Sequence, residues 1–120
     1  MPSGECEILY GEQYESVGSS AFNSGMFDAI LETGCTQAVF CGHDHLNNFS
    51  INYKGIDLVY SLSVDYLAYV GISKLGTQRG CTVITCSENG DITYNAENYY
   101  QEKYVSHYEK EEVTMQVLGE

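Results

Sequence analysis

A helix pattern, a glycine and a short apolar run follow one another between residues 23 and 41, and this order constrains the fold more than any other feature. Asn23 and Ser24 can cap a helix that Gly34 ends, because glycine readily adopts the left-handed conformation of a helix C-terminus. The apolar residues of this helix share one face: Met26, Phe27, Ile30 and Leu31. Residues 37–41 (QAVFC) are typical of a strand buried on both faces. Helix, turn and buried strand predict half of a βαβ unit.

The second half of the chain is rich in strand patterns. Two hairpins are predicted: residues 49–53 turning at Lys54-Gly55 into 56–62, and residues 81–86 turning at 88–90 into 91–94. The fold class is therefore α/β, with mixed α and β elements and strands dominating after residue 48. Around this middle portion, residues 1–22 are predicted to be an acidic loop segment and residues 96–120 an acidic tail rich in Tyr and Glu.

Charge and hydropathy exclude two classes of protein. Five basic against 17 acidic residues give a net charge of −12, which argues against a nucleic-acid surface and against binding to anionic membranes. No apolar run approaches the roughly 20 residues of a membrane-spanning helix, and residues 1–22 lack the pattern of a secretory signal. We expect a soluble protein whose compartment the sequence leaves unknown.

The five cysteines do not predict a disulfide framework. Their number is odd, and none are spaced as C-x-x-C. Cys35, Cys41, Cys81 and Cys86 lie in or beside apolar stretches, where a free cysteine usually behaves as a small buried hydrophobic residue.

The segment most indicative of chemistry is Gly42-His43-Asp44-His45, directly after the predicted buried strand. Ligands of open α/β sheets bind at the carboxyl ends of strands, and Gly42 allows the backbone to turn sharply. Histidines two residues apart on a bent segment can offer two nitrogens to one metal site. Asp44 can accept a hydrogen bond from a ring N–H or stabilise the turn. The alternative is a surface turn whose two histidines bind no metal.

Several other polar residues have simpler interpretations. Asn47 and Asn48 can reach a substrate oxygen, although an Asn pair here more often satisfies the backbone of a turn. We expect His107 to be solvated and Arg79 to form an ion pair with one of the many acids. The tyrosines at positions 60, 66 and 69 are expected to pack as ordinary amphipathic aromatics.

Two stretches of the chain are similar to a known family. Residues 23–34 (NSGMFDAILETG) and 38–49 (AVFCGHDHLNNF) resemble the C-terminal part of calcineurin-like metallophosphoesterases, in particular of their purple-acid-phosphatase-like branch. The similarity continues through 53–56 (YKGI) and 78–84 (QRGCTVI), so that it covers about residues 20–95. The resemblance implies the C-terminal half of a four-layer α-β-β-α sandwich, with residues 23–95 as the C-terminal portion of that domain.

The resemblance also implies a reaction and its cofactors. Members of this family hydrolyse phosphate esters with a hydroxide activated by two divalent or trivalent metal ions (Fe, Mn or Zn). By this resemblance His43 and His45 would each bind a different metal, with Asp44 beside them. Metals about 3.5–4 Å apart lower the pKa of a bound water and neutralise charge on the phosphoryl oxygens.

The chain departs from the family pattern in one respect. The family's earlier ligand motifs, Asp-x-His, Gly-Asp-x-x-Asp or -Tyr, Gly-Asn-His and a further single His, are absent from residues 1–42, which precede the histidine segment. We therefore expect a C-terminal fragment whose missing N-terminal half completes the site, inactive by itself, and self-associating because an apolar sheet face would be exposed. Two alternatives remain: a non-enzymatic β-rich interaction module that kept the scaffold, and a mononuclear metal site formed by His43, His45 and Asp44 or a cysteine.

Overall fold

The computed structural model describes residues 6–64 and 80–98, apart from the side chains of Glu12 and Asn98. Its elements in chain order are β1 (Cys6–Glu12), α1 (Met26–Thr33), β2 (Ala38–Cys41), β3 (Asn48–Tyr53), β4 (Ile56–Tyr60), β5 (Gly80–Cys86) and β6 (Ile92–Asn98). The predicted α/β class is confirmed at the level of a strand-rich fold with one helix and a mixed sheet. Among the described residues, no helix is long and apolar enough to cross a membrane.

The first four strands form one mixed sheet with the order β1-β3-β4-β2. β1 pairs antiparallel with β3, β3 antiparallel with β4, and β2 parallel with β4. The turn between β3 and β4 holds Lys54 at φ 53° and Gly55 at φ 81°, the paired positive values whose twist matches that of a two-residue hairpin. This turn and both of its strands confirm the first predicted hairpin.

The two faces of this sheet carry different partners, because successive side chains of a strand alternate between faces. On one face, the ring of Tyr53 stacks on Phe27 of α1 with centroids 5.4 Å apart. On the other, Phe40 and Tyr10 lie 5.3 and 6.3 Å from the ring of Tyr94 on β6. The four-stranded sheet therefore lies between the helix and the β5–β6 hairpin.

The β5–β6 hairpin confirms the second predicted hairpin and is longer than expected, since β6 continues to Asn98. It is joined to the rest of the fold at Ser63, whose carbonyl accepts a hydrogen bond from the Gly80 amide at 3.1 Å. The hydrophobic core of the described residues is small: Leu46, Ile56, Val59, Tyr60, Leu62 and Ala96.

The structure corrects the prediction that residues 1–22 are a loop segment. Cys6–Glu12 form strand β1 at the edge of the sheet, with a bulge between Ile8 and Tyr10. The segment lacks the regular alternation of apolar and polar residues that signals a strand, and in the structure Ile8 is 66 % exposed. Pairing with β3, about 40 residues away in sequence, makes this segment a strand.

Three local predictions about the helix and its following strand are also corrected or confirmed. Gly34 ends α1 at φ 65°, as predicted. At the other end the N-cap is Gly25, which has no side chain to cap the helix, and Asn23 instead accepts a hydrogen bond from the Gly25 amide at 2.9 Å. β2 is only half-buried and Cys41 is exposed, because this strand lies at the edge of the sheet rather than in its centre.

The expectation of buried cysteines is wrong. All five cysteines are free thiols; Cys35, Cys41, Cys81 and Cys86 are exposed and Cys6 is partly buried. Within the described part of the chain β5 pairs with β6 alone, and most of its side chains are exposed, so its apolar sequence does not produce burial. The predicted roles of Tyr66, Tyr69, Arg79 and His107 lie outside the described residues, as does most of the tail 96–120.

Candidate functional site around the histidine loop

The loop from Gly42 to Asn47 leaves the carboxyl end of β2 and returns into β3; we call it the histidine loop. β2 and β4 run parallel, and the amide of Ser61 just after β4 bonds to the carbonyl of Cys41 at 3.0 Å. The loop therefore starts at the edge of a sheet where two parallel strands end, which is the location predicted for the site.

The two histidines have different neighbours. His43 is exposed, and its ring lies against Gly18, where an added Cβ would come 2.5 Å from the ring Cδ2. His45 is half-buried, and its Nδ1 lies 3.4 Å from the hydroxyl of Ser63. A role for either ring as a metal ligand stays a prediction.

Asp44 is buried and serves as the centre of a hydrogen-bond network. Its carboxylate accepts hydrogen bonds from the Gly18 amide at 3.0 and 3.1 Å and from Asn47 Nδ2 at 3.0 Å, and a further one from the Tyr60 hydroxyl. Burial acts to raise the pKa of Asp44, but these donors and the nearby His43 outweigh it, so the pKa lies below its usual value. Of its two predicted roles, the contacts support stabilisation of the turn.

Tyr60 shares this network from β4. Burial, followed by the hydrogen bond to the Asp44 carboxylate, raises the pKa of the Tyr60 hydroxyl to about 12. The hydroxyl therefore stays protonated at neutral pH and donates to Asp44. The prediction that Tyr60 packs as an amphipathic aromatic describes its ring, which lies 5.4 Å from that of Phe49. Its hydroxyl has a second role, because it bonds to Asp44 in the histidine loop.

Asn47 is 1 % exposed and uses both ends of its amide within the protein. Its Oδ1 accepts from the backbone amides of Tyr14 and Glu15 at 2.9 and 3.0 Å, and its Nδ2 donates to the Glu15 carbonyl at 3.1 Å as well as to Asp44. These contacts favour the second of its predicted roles, satisfying backbone groups. Its contact with a substrate stays a prediction that this geometry does not support.

Asn48 and Gly42 complete the predicted set. Asn48 begins β3 and is 2 % exposed, so its side chain is turned into the protein. Gly42 lacks a positive φ, and a Cβ added there would meet nothing within 4 Å. Neither backbone conformation nor protein contact within the described residues therefore requires glycine at position 42.

Sequence reasoning missed the contribution of residues 14–18. Their partners in the loop are 26 to 33 positions away in the sequence, and no local pattern signals such a contact. The burial of Asp44 and Asn47 requires donors and acceptors from another segment, but that burial is visible only in the structure.

The described residues do not form a metal site on their own. Within residues 6–64 and 80–98, no three His, Cys, Asp or Glu side chains lie close enough to hold a metal ion. Asp44, the acid nearest the histidines in sequence, already has its carboxylate occupied by Gly18, Asn47 and Tyr60. The mononuclear alternative therefore lacks its third ligand in this part of the chain, and so does a dinuclear centre.

Comparison with known proteins gives three relatives, all from Arabidopsis thaliana. The chain is 34 % identical over 79 residues to "Probable inactive purple acid phosphatase 29". The aligned residues cover 66 % of this chain and 20 % of the relative. It is 41 % identical over 61 residues to "Probable inactive purple acid phosphatase 14" and 36 % identical over 59 residues to "Probable inactive purple acid phosphatase 28". These cover 51 % and 49 % of this chain and 15 % of each relative.

The chain thus spans a fifth or less of the length of the relatives that it matches. No family model matches it, and no solved structure matches it significantly. The resemblance noted in the sequence is nevertheless confirmed by the three relatives: this chain contains a partial purple-acid-phosphatase-like region.

Proposed function

We propose that this region is the histidine-loop portion of a metal-dependent phosphoesterase domain, the layers described here belonging to a four-layer α-β-β-α sandwich. The observation that carries the proposal is His43-Asp44-His45 at the carboxyl end of β2, in a chain whose relatives are named probable inactive purple acid phosphatases. His43 and His45 would supply two ligands to a pair of Fe, Mn or Zn ions, and the substrate would be a phosphate ester. The other ligands would come from outside the described residues, because these contain no three-ligand group.

A test of this proposal is a chimera. Residues 38–60 replace the matching strand–loop–hairpin element of a catalytically active purple acid phosphatase, and turnover of p-nitrophenyl phosphate is measured with Mn, Fe or Zn. We expect turnover in the chimera and its loss in the His43→Ala and His45→Ala chimeras, whereas a chimera carrying Lys54→Asn, in the exposed turn between β3 and β4, serves as the matched control. Equal turnover with and without the two histidines would refute their proposed role.

For the 120-residue chain alone we propose that catalysis is absent. Two imidazoles cannot hold a dinuclear centre, which needs carboxylates and more ligands in total. Metal analysis and the same phosphatase assay test this. Two metals per chain, with turnover abolished by His45→Ala, would show that a complete site exists.

The second candidate function is a non-enzymatic interaction module. The observation that favours it is that all three relatives are named inactive. Loss of turnover in the chimera, together with a folded chain that binds no metal, would favour this candidate over the phosphoesterase.

We also propose that the chain alone self-associates through the surface that would meet the rest of the domain. The large hydrophobic residues that the chain exposes include Ile8, Phe22, Met26 and Val64, whose exposed fractions are 66, 78, 63 and 73 %. Exposed apolar groups of this size promote association. A monomeric mass by light scattering, with cooperative unfolding, would count against this proposal.

A further inference from the structure

Residues 14–18 are attached to the histidine loop by side chains rather than by sheet pairing; we call them the latch segment. Asn47 binds its first part, through the amides of Tyr14 and Glu15 and the carbonyl of Glu15. Asp44 binds its last part, through the Gly18 amide. Glu15 also contacts the histidine loop with its own side chain, since its Oε1 accepts a hydrogen bond of 2.7 Å from the Leu46 amide.

The ring of His43 lies against the latch segment at Gly18. A Cβ at position 18 would lie 2.5 Å from His43 Cδ2, 2.8 Å from His43 Nε2 and 2.9 Å from Asp44 Oδ1. Gly18 has no positive φ, so its backbone conformation is open to any residue. The edge of the imidazole therefore occupies the space of a side chain at position 18, and a larger residue there would have to displace the ring.

The polar network behind this contact is buried. Asp44 is 8 % and Asn47 1 % exposed, and a buried carboxylate that accepts several hydrogen bonds is costly to release. The ring of His43, by contrast, is exposed, and an exposed imidazole without such a neighbour samples several rotamers. The latch segment therefore restricts the one loop side chain that would otherwise be free to rotate.

We infer that the latch segment positions the His43 ring, with Asp44 and Asn47 as positioning residues and Gly18 as the surface against which the ring lies. Asp44 acts by holding Gly18 in place rather than by contributing a ligand or a proton. The inference deepens the proposed function, since a fixed ring is useful where His43 binds a metal, but the latch itself does not depend on any metal.

The test is NMR of the full 120-residue chain, without metal, labelled with ¹³C and ¹⁵N at His and Gly. In the unmodified chain we expect a nuclear Overhauser effect between the Hδ2 of His43 and the Hα atoms of Gly18, and slow exchange of the Gly18 amide. Asp44→Ala should remove this nuclear Overhauser effect and accelerate the exchange of the Gly18 amide about tenfold. Asp44→Asn should retain part of both, because the amide oxygen still accepts from Gly18. Asp28→Ala, an exposed acid on α1, is the matched control.

A second pair of variants keeps the test informative should Asp44→Ala unfold. Gly18→Ala should abolish the contact with His43 by displacing the ring, whereas Gly42→Ala, the same change in the same loop, should leave it intact because nothing lies within 4 Å. Absence of the contact in the unmodified chain, or its persistence in Gly18→Ala, would overturn the inference. If the chimera shows no turnover while the contact between His43 and Gly18 is observed in the 120-residue chain, the proposed function is refuted. The inference about the latch segment would still hold.

Discussion

The histidine loop and the β5–β6 hairpin both pack against the same four-stranded sheet, but they are attached by opposite means. The loop is held by buried polar side chains, Asp44 and Asn47, that bond to the backbone of a distant segment. The hairpin contacts the sheet through Tyr94, whose ring lies 5.3 Å from that of Phe40 and 6.3 Å from that of Tyr10 and whose hydroxyl donates to Asp57 at 2.8 Å.

This difference predicts how each region responds to substitution. In the polar network Asp44 and Asn47 each have several hydrogen-bond partners, so the removal of either side chain leaves more than one donor or acceptor unpaired. At the hairpin most of the contact is an aromatic ring, which a phenylalanine can preserve. The loop should therefore be the more sensitive of the two to single polar substitutions, and the hairpin to changes of ring size.

The largest effect is expected from Asn47→Ala. It leaves the amides of Tyr14 and Glu15 and a carbonyl without their partner, and should lower the free energy of unfolding by about 3 kcal/mol, at roughly 1 kcal/mol for each buried group. Urea denaturation measures it, with the exposed Asn95→Ala as the matched control. A loss smaller than that of Tyr94→Phe would contradict the ranking of the two regions.

A smaller effect is expected from Tyr94→Phe. The ring and its packing remain, but Asp57 loses a donor and the contact of 2.9 Å with the Ser50 hydroxyl disappears. We expect a loss of about 1–2 kcal/mol in the free energy of unfolding. Tyr53→Phe, which keeps the stack on Phe27, is the control and should change little.

Alkaline pH should destabilise the packing around Tyr10, whose ring lies 6.3 Å from that of Tyr94 on the hairpin. Burial, then the proximity of Tyr94 and Asp57, raises the pKa of Tyr10 from 10.0 to about 12. Because the folded-state value is the higher one, this contribution to stability is complete below pH 10 and is lost as the pH rises from 10 to 12. Unfolding free energies across that range should fall less steeply in Tyr10→Phe than in the unmodified chain or in Tyr53→Phe.

The smallest effect is expected from Gly42→Ala. A Cβ there meets nothing and the backbone needs no positive φ, so the free energy of unfolding should change by less than about 0.5 kcal/mol, as for surface substitutions elsewhere. Thermal unfolding measures the change, beside Gly34→Ala, whose φ of 65° predicts a loss of about 1 kcal/mol. An equal loss in both variants would show that the loop is tighter than its contacts indicate.

Elements whose signals are local were predictable. Gly34 ends the helix, Lys54-Gly55 forms the hairpin turn, and the strand that precedes His43 ends where expected. In each case the residues that determine the conformation are neighbours in sequence. The placement of the histidines after β2 follows from the same local order of elements.

Elements that depend on distant partners were missed. β1 lacks a strand pattern and becomes a strand by pairing with β3. The exposure of the cysteines depends on which strands lie at a sheet edge. Likewise, neither Gly18 nor Glu15 carries a local sign that it will contact the histidine loop.

The amino-acid sequence by itself thus determined the kinds of elements, their order and the position of the candidate histidines, because turn geometry and hydrophobic periodicity act over a few residues. Only the tertiary structure decided what Asp44 and Asn47 do. Their backbone partners in residues 14–18 are 26 to 33 residues away, and a buried polar group is satisfied by whichever backbone the fold brings to it.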